Sequence, residues 1–139
     1  MKAGFIGTGS MGLPLATNIL DQEKSLIAFD INPNATKSLA DKQAKIAKSP
    51  AEVADGADIV FACMPTIESF HAVVSGDDGV LKGGQMKVFV NLGTMGTEAV
   101  AEVEATMAAQ GVPVLDSPIT GGVQRAYAGD ITVISSGPQ

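Results

Sequence analysis

The chain has little from which to build a staple, a metal cage or a grip on nucleic acid. Its one cysteine, Cys63, stands alone among 139 residues, so it has no intramolecular disulfide partner and no cysteine-based metal motif. The expected place for Cys63 is a strand, as a small buried apolar residue. Tryptophan is absent, tyrosine occurs once, and aromatics make up only 4% of the residues. There is a single arginine, Arg125, and a single histidine, His71. With no basic run and a net charge of −6, the chain lacks the clustered cations that phosphate backbones require, so a nucleic-acid partner is not expected. No apolar run approaches the roughly 20 residues needed to cross a bilayer, so no membrane partner is expected either. The apolar stretch after Lys2 breaks at glycines within a few residues, unlike a secretory leader. A cytoplasmic location is the default expectation.

What remains is an Ala-, Gly-, Val- and Ile-rich chain that is 45% apolar and 17% charged, a composition that argues against disorder. Its length suits about one domain, spanning residues 1–139, large enough to bury roughly 68–70% of its unfolded surface. Short apolar runs alternate with helix-like spacing. Strands are expected at Lys2–Ile6, Leu26–Phe29, Lys45–Lys48, Ile59–Met64, Met86–Val90 and Val112–Leu115, with a last one at Ile131–Ser135. Helices are expected at Ser10–Leu20, Pro33–Asp41, a short one after Ser49, Ile67–Val74 and Thr97–Gln110. Ser49 and Glu52 have the spacing of a capping box. The continuous run IVFACM at Ile59–Met64 reads as a central strand covered on both faces. Such alternation predicts an α/β fold, a doubly wound and mostly parallel sheet of the Rossmann dinucleotide-binding type.

The first strand runs into G-x-G-x-x-G at Gly7, Gly9 and Gly12, with a helix behind it, which is the context this fingerprint needs. Gly7 allows the tight turn, Gly9 lets a pyrophosphate approach the backbone, and Gly12 lets helix and strand pack closely. Thr8, Ser10 and Met11 complete the loop. The free N–H groups of the helix start would face the phosphates. Asp30 ends the second strand 23 residues after Gly7 (30 − 7), near the spacing of an acid that holds the adenosine ribose. Ile31 and Asn32 follow on the same loop. A carboxylate at Asp30 accepts from both ribose hydroxyls and repels a 2′-phosphate. No arginine follows it, and Lys37 is the next basic residue, so NAD is favoured over NADP. A flavin could use the same spacing.

Three stretches take the reading further. The opening GFIGTGSMGLPLATNIL, with Met11-Gly12, Pro14 and Ala16-Thr17-Asn18, closely resembles the start of the β-hydroxyacid dehydrogenases, the family of 3-hydroxyisobutyrate dehydrogenase and tartronate semialdehyde reductase. ADIVFACMPT at Ala57–Thr66 resembles that family's fourth strand and its proline, and Asp116–Gly137 resembles its substrate segment. The resemblance covers essentially the whole chain. It implies that Gly7–Gly12 holds pyrophosphate, that Asp30 holds ribose, and that Met64 and Pro65 line the cofactor cleft. It implies that Thr94 stands near the nicotinamide and that Thr120-Gly121-Gly122 binds the carboxylate of a short hydroxy acid. This chain departs from the family at Leu92-Gly93-Thr94, where only Thr94 carries over, and has Thr120 in place of serine. Arg125 is read as solvent-facing and His71 as a surface or packing residue.

The resemblance also implies something absent. These enzymes use a lysine as general acid–base on a helix well beyond the cofactor domain, whereas every lysine here lies at or before Lys87. No catalytic residue is therefore expected in this chain. It reads as the NAD-binding part of an oxidoreductase about twice as long, itself a homo-oligomer acting on a 3-hydroxyisobutyrate-like or tartronate-semialdehyde-like acid, and inactive alone. The alternative is a non-catalytic NAD-binding or interaction module. The 6-phosphogluconate dehydrogenase group shares the glycine loop, but Asp30 without an arginine beside it fits that group less well.

Overall fold

The structure is a computed structural model that describes residues 1–138. Six strands run parallel: β1 (Ala3–Ile6), β2 (Ile27–Phe29), β3 (Lys45–Ile46), β4 (Ile59–Ala62), β5 (Val88–Asn91) and β6 (Val114–Asp116). They lie in the order β3-β2-β1-β4-β5-β6, the doubly wound arrangement expected from the alternation. The order reverses between β1 and β4, and a cleft opens at the carboxyl ends of these two strands.

Helices α1 (Gly12–Glu23) and α2 (Lys37–Asp41) lie on one face of the sheet. Helices α3 (Pro50–Gly56), α4 (Ile67–Ser75) and α5 (Thr97–Ala108) lie on the other. The strands alternate between two cores accordingly. Val60 and Ala62 of β4 join Phe89 and Val114 beneath α3–α5, where Val53, Phe70 and Val103 are fully or almost fully buried. Ile59 and Phe61 point to the α1 side, where Phe61 stacks on Phe5 at a centroid distance of 6.2 Å.

The α1 face is the thinner one. β4 is central, as its apolar run predicts, but Ile59 and Phe61 are only half-buried, so the expected cover is complete on one face and partial on the other. Three helices cover one side, whereas the other carries α1, α2 and the later segment around Ala126 and Ile131. Over β4–β6 they leave an apolar groove of about 430 Å³, floored by Phe61, Val90 and Leu115.

Helix starts show how local chemistry sets boundaries. Ser49 caps α3 by accepting from the Glu52 N–H at 3.1 Å, but the Glu52 carboxylate reaches Lys48 N–H (2.7 Å) rather than closing the expected box on Ser49. The reciprocal box stands at α4 instead. Thr66 Oγ1 accepts from Ser69 N–H and Ser69 Oγ accepts from Thr66 N–H. α1 begins at Gly12, not Ser10, because Ser10 and Met11 are spent on the glycine turn.

The tail also differs from expectation. Ile131–Ser135 was expected to be a strand following the six, and the structure confines it to β8 (Thr132–Val133). β8 pairs antiparallel with β7 (Ile119–Thr120) in a separate two-stranded ribbon, and α6 (Gly122–Ala128) lies between them. Pro118 and the brevity of Ile119–Thr120 hid β7 from a reading based on apolar runs.

Candidate cofactor cleft

The glycine turn joins β1 to α1. Gly7 has φ +87°, and a Cβ there would run into the Cys63 carbonyl oxygen. A Cβ on Gly12 would strike the Gly7 carbonyl oxygen, so the helix can pack this close only without one. Gly9 is different, because a Cβ there would meet no described atom within 4 Å. Two of the glycines are therefore required by the protein's own packing, while Gly9 borders open space. The helix behind the turn is left ready for a ligand. No side chain caps α1, and no acidic residue stands in its first turn. Leu13 N–H is spent on the Gly9 carbonyl at 2.9 Å and Pro14 has none, so the helix start offers the Gly12 N–H and the positive end of its dipole, with no counter-charge from its first turn. A pyrophosphate fits this arrangement on two counts: the open backbone at Gly9 and the uncompensated helix start.

The cleft measures about 430 Å³. Its walls bring together Gly7, Gly9, Ser10, Met11 and Gly12 from the turn, Asp30 and Ile31 from the end of β2, and Met64 and Pro65 beyond β4. Ser69 and Val73, one helical turn apart on α4, form a wall that the sequence reading missed. Ile31 is 92% exposed, an apolar side chain held over the cleft with little packing of its own.

Asp30 is fixed rather than free. Its Oδ2 accepts from Thr8 N–H at 2.7 Å and its Oδ1 from Asn32 N–H at 2.8 Å. Each oxygen keeps a further lone pair for another donor. Asn32 caps the 3-10 turn at Pro33–Thr36 by accepting from Asn34 N–H, and does not line the cleft. Thr8 is 2% exposed, and its hydroxyl turns inward to donate to the Ala35 carbonyl at 3.1 Å. Its side chain therefore does not face the cleft. Cys63 corrects an expectation: it lies just past β4, half-buried in the cleft wall, and burial raises its thiol pKa above the usual value.

The other sequence candidates lie apart from these walls. Thr94 is exposed on the loop after β5. That loop is braced by the fully buried Asn91, which accepts from Gly93 N–H and donates to both Gly93 O and the Asp116 carboxylate. Thr120 ends β7, and Gly121 (φ +124°) and Gly122 (φ +76°) form the turn into α6, backbone shapes that suit glycine. Arg125 is exposed and pairs with Asp130 at 3.0 Å, and His71 bridges α4 to Glu102 of α5 at 3.3 Å, so neither faces the cleft. Among the described residues no group of histidine, cysteine, aspartate and glutamate could hold a metal ion, and no helix is long and apolar enough to cross a membrane.

A six-stranded parallel sheet with an uncapped glycine turn at its switch point defines a Rossmann dinucleotide-binding domain. The chain belongs to the family described as the NAD-binding domain of 6-phosphogluconate dehydrogenase, whose model matches residues 2–139. Its relatives bear out the resemblance to the β-hydroxyacid dehydrogenases. It is 33% identical to 3-hydroxyisobutyrate dehydrogenase of Pseudomonas aeruginosa over 135 residues, 96% of this chain and 45% of that protein. Among solved structures it resembles 3-hydroxyisobutyrate dehydrogenase of Mycobacterium tuberculosis, solved with L-serine (25% identity, TM-score 0.87, 99% of this chain and 47% of that one). It also resembles Psf3 in complex with NADP+ and 2-OPP (26% identity, TM-score 0.89, 98% of this chain and 49% of that one). The chain thus spans about half the length of these relatives. The glycine-loop domain is common to both groups considered from the sequence, so it does not by itself separate them.

Proposed function

We propose that this chain is the NAD-binding part of a dehydrogenase acting on a short 3-hydroxy acid. The observation that carries the reading is the single cleft shared by an uncapped helix start, an unobstructed Gly9 and the fixed carboxylate of Asp30. The Gly12 N–H, the positive end of the α1 dipole and the Gly9 backbone hold the pyrophosphate. Asp30 accepts from the ribose hydroxyls and disfavours a 2′-phosphate by charge, and no arginine stands on that loop to reverse the preference. Ile31, Met64 and Pro65 supply apolar walls, and Thr94 contacts the nicotinamide end. A bound nicotinamide supplies hydride transfer. Thr120 offers a hydroxyl, and Gly121 and Gly122 offer unhindered N–H groups to a substrate carboxylate. The proton-transferring lysine belongs to the remaining half of the enzyme, which forms a homo-oligomer in the cytoplasm.

Assay of the full-length protein with NAD and a panel of short 3-hydroxy acids tests this reading. We expect NAD-dependent oxidation by the full-length protein and none by residues 1–139. Comparable turnover by both would overturn the division of labour, and no turnover of any hydroxy acid would overturn the substrate class.

A further inference from the structure

We propose that Thr8 is a positioning residue whose buried hydroxyl, through its bond to Ala35, sets the two backbone donors that hold the Asp30 carboxylate in the plane that distinguishes NAD from NADP. This rests on the reading that the cleft binds NAD. Thr8 occupies a variable place within G-x-G-x-x-G, where the fingerprint asks for no particular side chain. Its hydroxyl is nevertheless inside the protein, with the residue 2% exposed. The hydroxyl has one proton. It donates to Ala35 O at 3.1 Å, and the Asp30 oxygen 3.5 Å away is the poorer partner. The same residue's N–H holds Asp30 Oδ2 at 2.7 Å. Thr8 therefore ties three segments together: the glycine turn, the end of β2 and the 3-10 turn at Pro33–Thr36.

The consequence concerns direction. Asp30 discriminates only if its outward lone pairs face the ribose. Its Oδ1 is set by Asn32 N–H, on the loop that leads into Pro33 and Ala35, and its Oδ2 by Thr8 N–H. The Thr8–Ala35 bond fixes the distance between those two donors. Without it, the Ala35 carbonyl loses its partner in a part-buried setting and the two donors move independently. The carboxylate then turns, weakening ribose binding and easing the repulsion of a 2′-phosphate.

Titration of residues 1–139 with NAD and with NADP, using wild type, Thr8→Val, Thr8→Ala and Thr8→Ser, tests this. We expect the two hydroxyl-free variants to bind NAD about five- to tenfold more weakly, the worth of one hydrogen bond. Their NADP affinity should change less than twofold, so that the preference narrows. Thr8→Ser, which keeps the hydroxyl, should restore the wild-type ratio. Equal loss for both cofactors, no change for either, or unfolding of both hydroxyl-free variants would overturn the proposal and leave Thr8 a role in the fold alone. Failure of wild type to bind NAD would instead overturn the reading of the cleft.

Discussion

The Asn91 side chain at the end of β5 donates to the Asp116 carboxylate at the end of β6 at 2.8 Å. Asn91 is fully buried, and its remaining polar capacity goes to Gly93. One amide thereby joins the loop carrying Thr94 to the strand that leads to Thr120. Asn91→Asp replaces the donor with a second carboxylate. We expect a loss of about 1–3 kcal/mol near neutral pH, from the broken bond and the like-charge contact. The loss should shrink in acid, where the pair can share a proton. Urea melts at pH 4.5 and 7.5 check this, and an equal loss at both would argue against the charge contact.

Gly9→Ala and Gly12→Ala should behave in opposite ways. A Cβ at Gly9 meets only open space, so Gly9→Ala should leave stability within about 0.5 kcal/mol of wild type while weakening cofactor binding tenfold or more. A Cβ at Gly12 meets the Gly7 carbonyl, so Gly12→Ala should cost about 1–3 kcal/mol of stability. Thermal melts paired with cofactor titration separate the two, and unaltered binding by Gly9→Ala would count against the cradle.

The Asp58 carboxylate accepts from Lys2 N–H at 2.8 Å and pairs with Lys87 Nζ at 2.8 Å. The Lys2 hydrogen bond first, and Lys87 second, hold its pKa below the ordinary 3.8. A lowered folded-state value stabilises the protein above the unfolded pKa, and that contribution fades as pH falls through the folded one. Wild type should lose stability as pH drops below about 3.8, and Asp58→Asn should lose less over the same range. Parallel acid-melting curves for the two proteins would contradict this.

Cys63 should react slowly with thiol reagents at pH 7.5, because burial raises its pKa and starves it of thiolate. Since it lines the cleft, bound NAD should slow it further. Labelling rates measured with and without NAD check both, and a rate indifferent to NAD would place the cofactor elsewhere.

Much of the fold was legible because parallel strands and their helices announce themselves by local periodicity. The six strands are visible that way, and the glycine turn and Asp30 are visible by their motif and its spacing. The remainder depends on partners far apart in sequence. Thr8 meets Asp30 across 22 residues and Asn91 meets Asp116 across 25, and no periodicity marks either pair. The half-open face of β4 was illegible for a related reason: IVFACM records that both faces are apolar, not what covers them. Ser69 and Val73 looked like ordinary helix residues until α4 was placed against the cleft.

The central claim is that this cleft holds NAD through the α1 start and Asp30. Calorimetric titration of residues 1–139 with NAD and NADP tests it most directly. The account predicts saturable binding of NAD at one site, with NADP at least tenfold weaker. Binding of neither cofactor, or a preference for NADP, would contradict it.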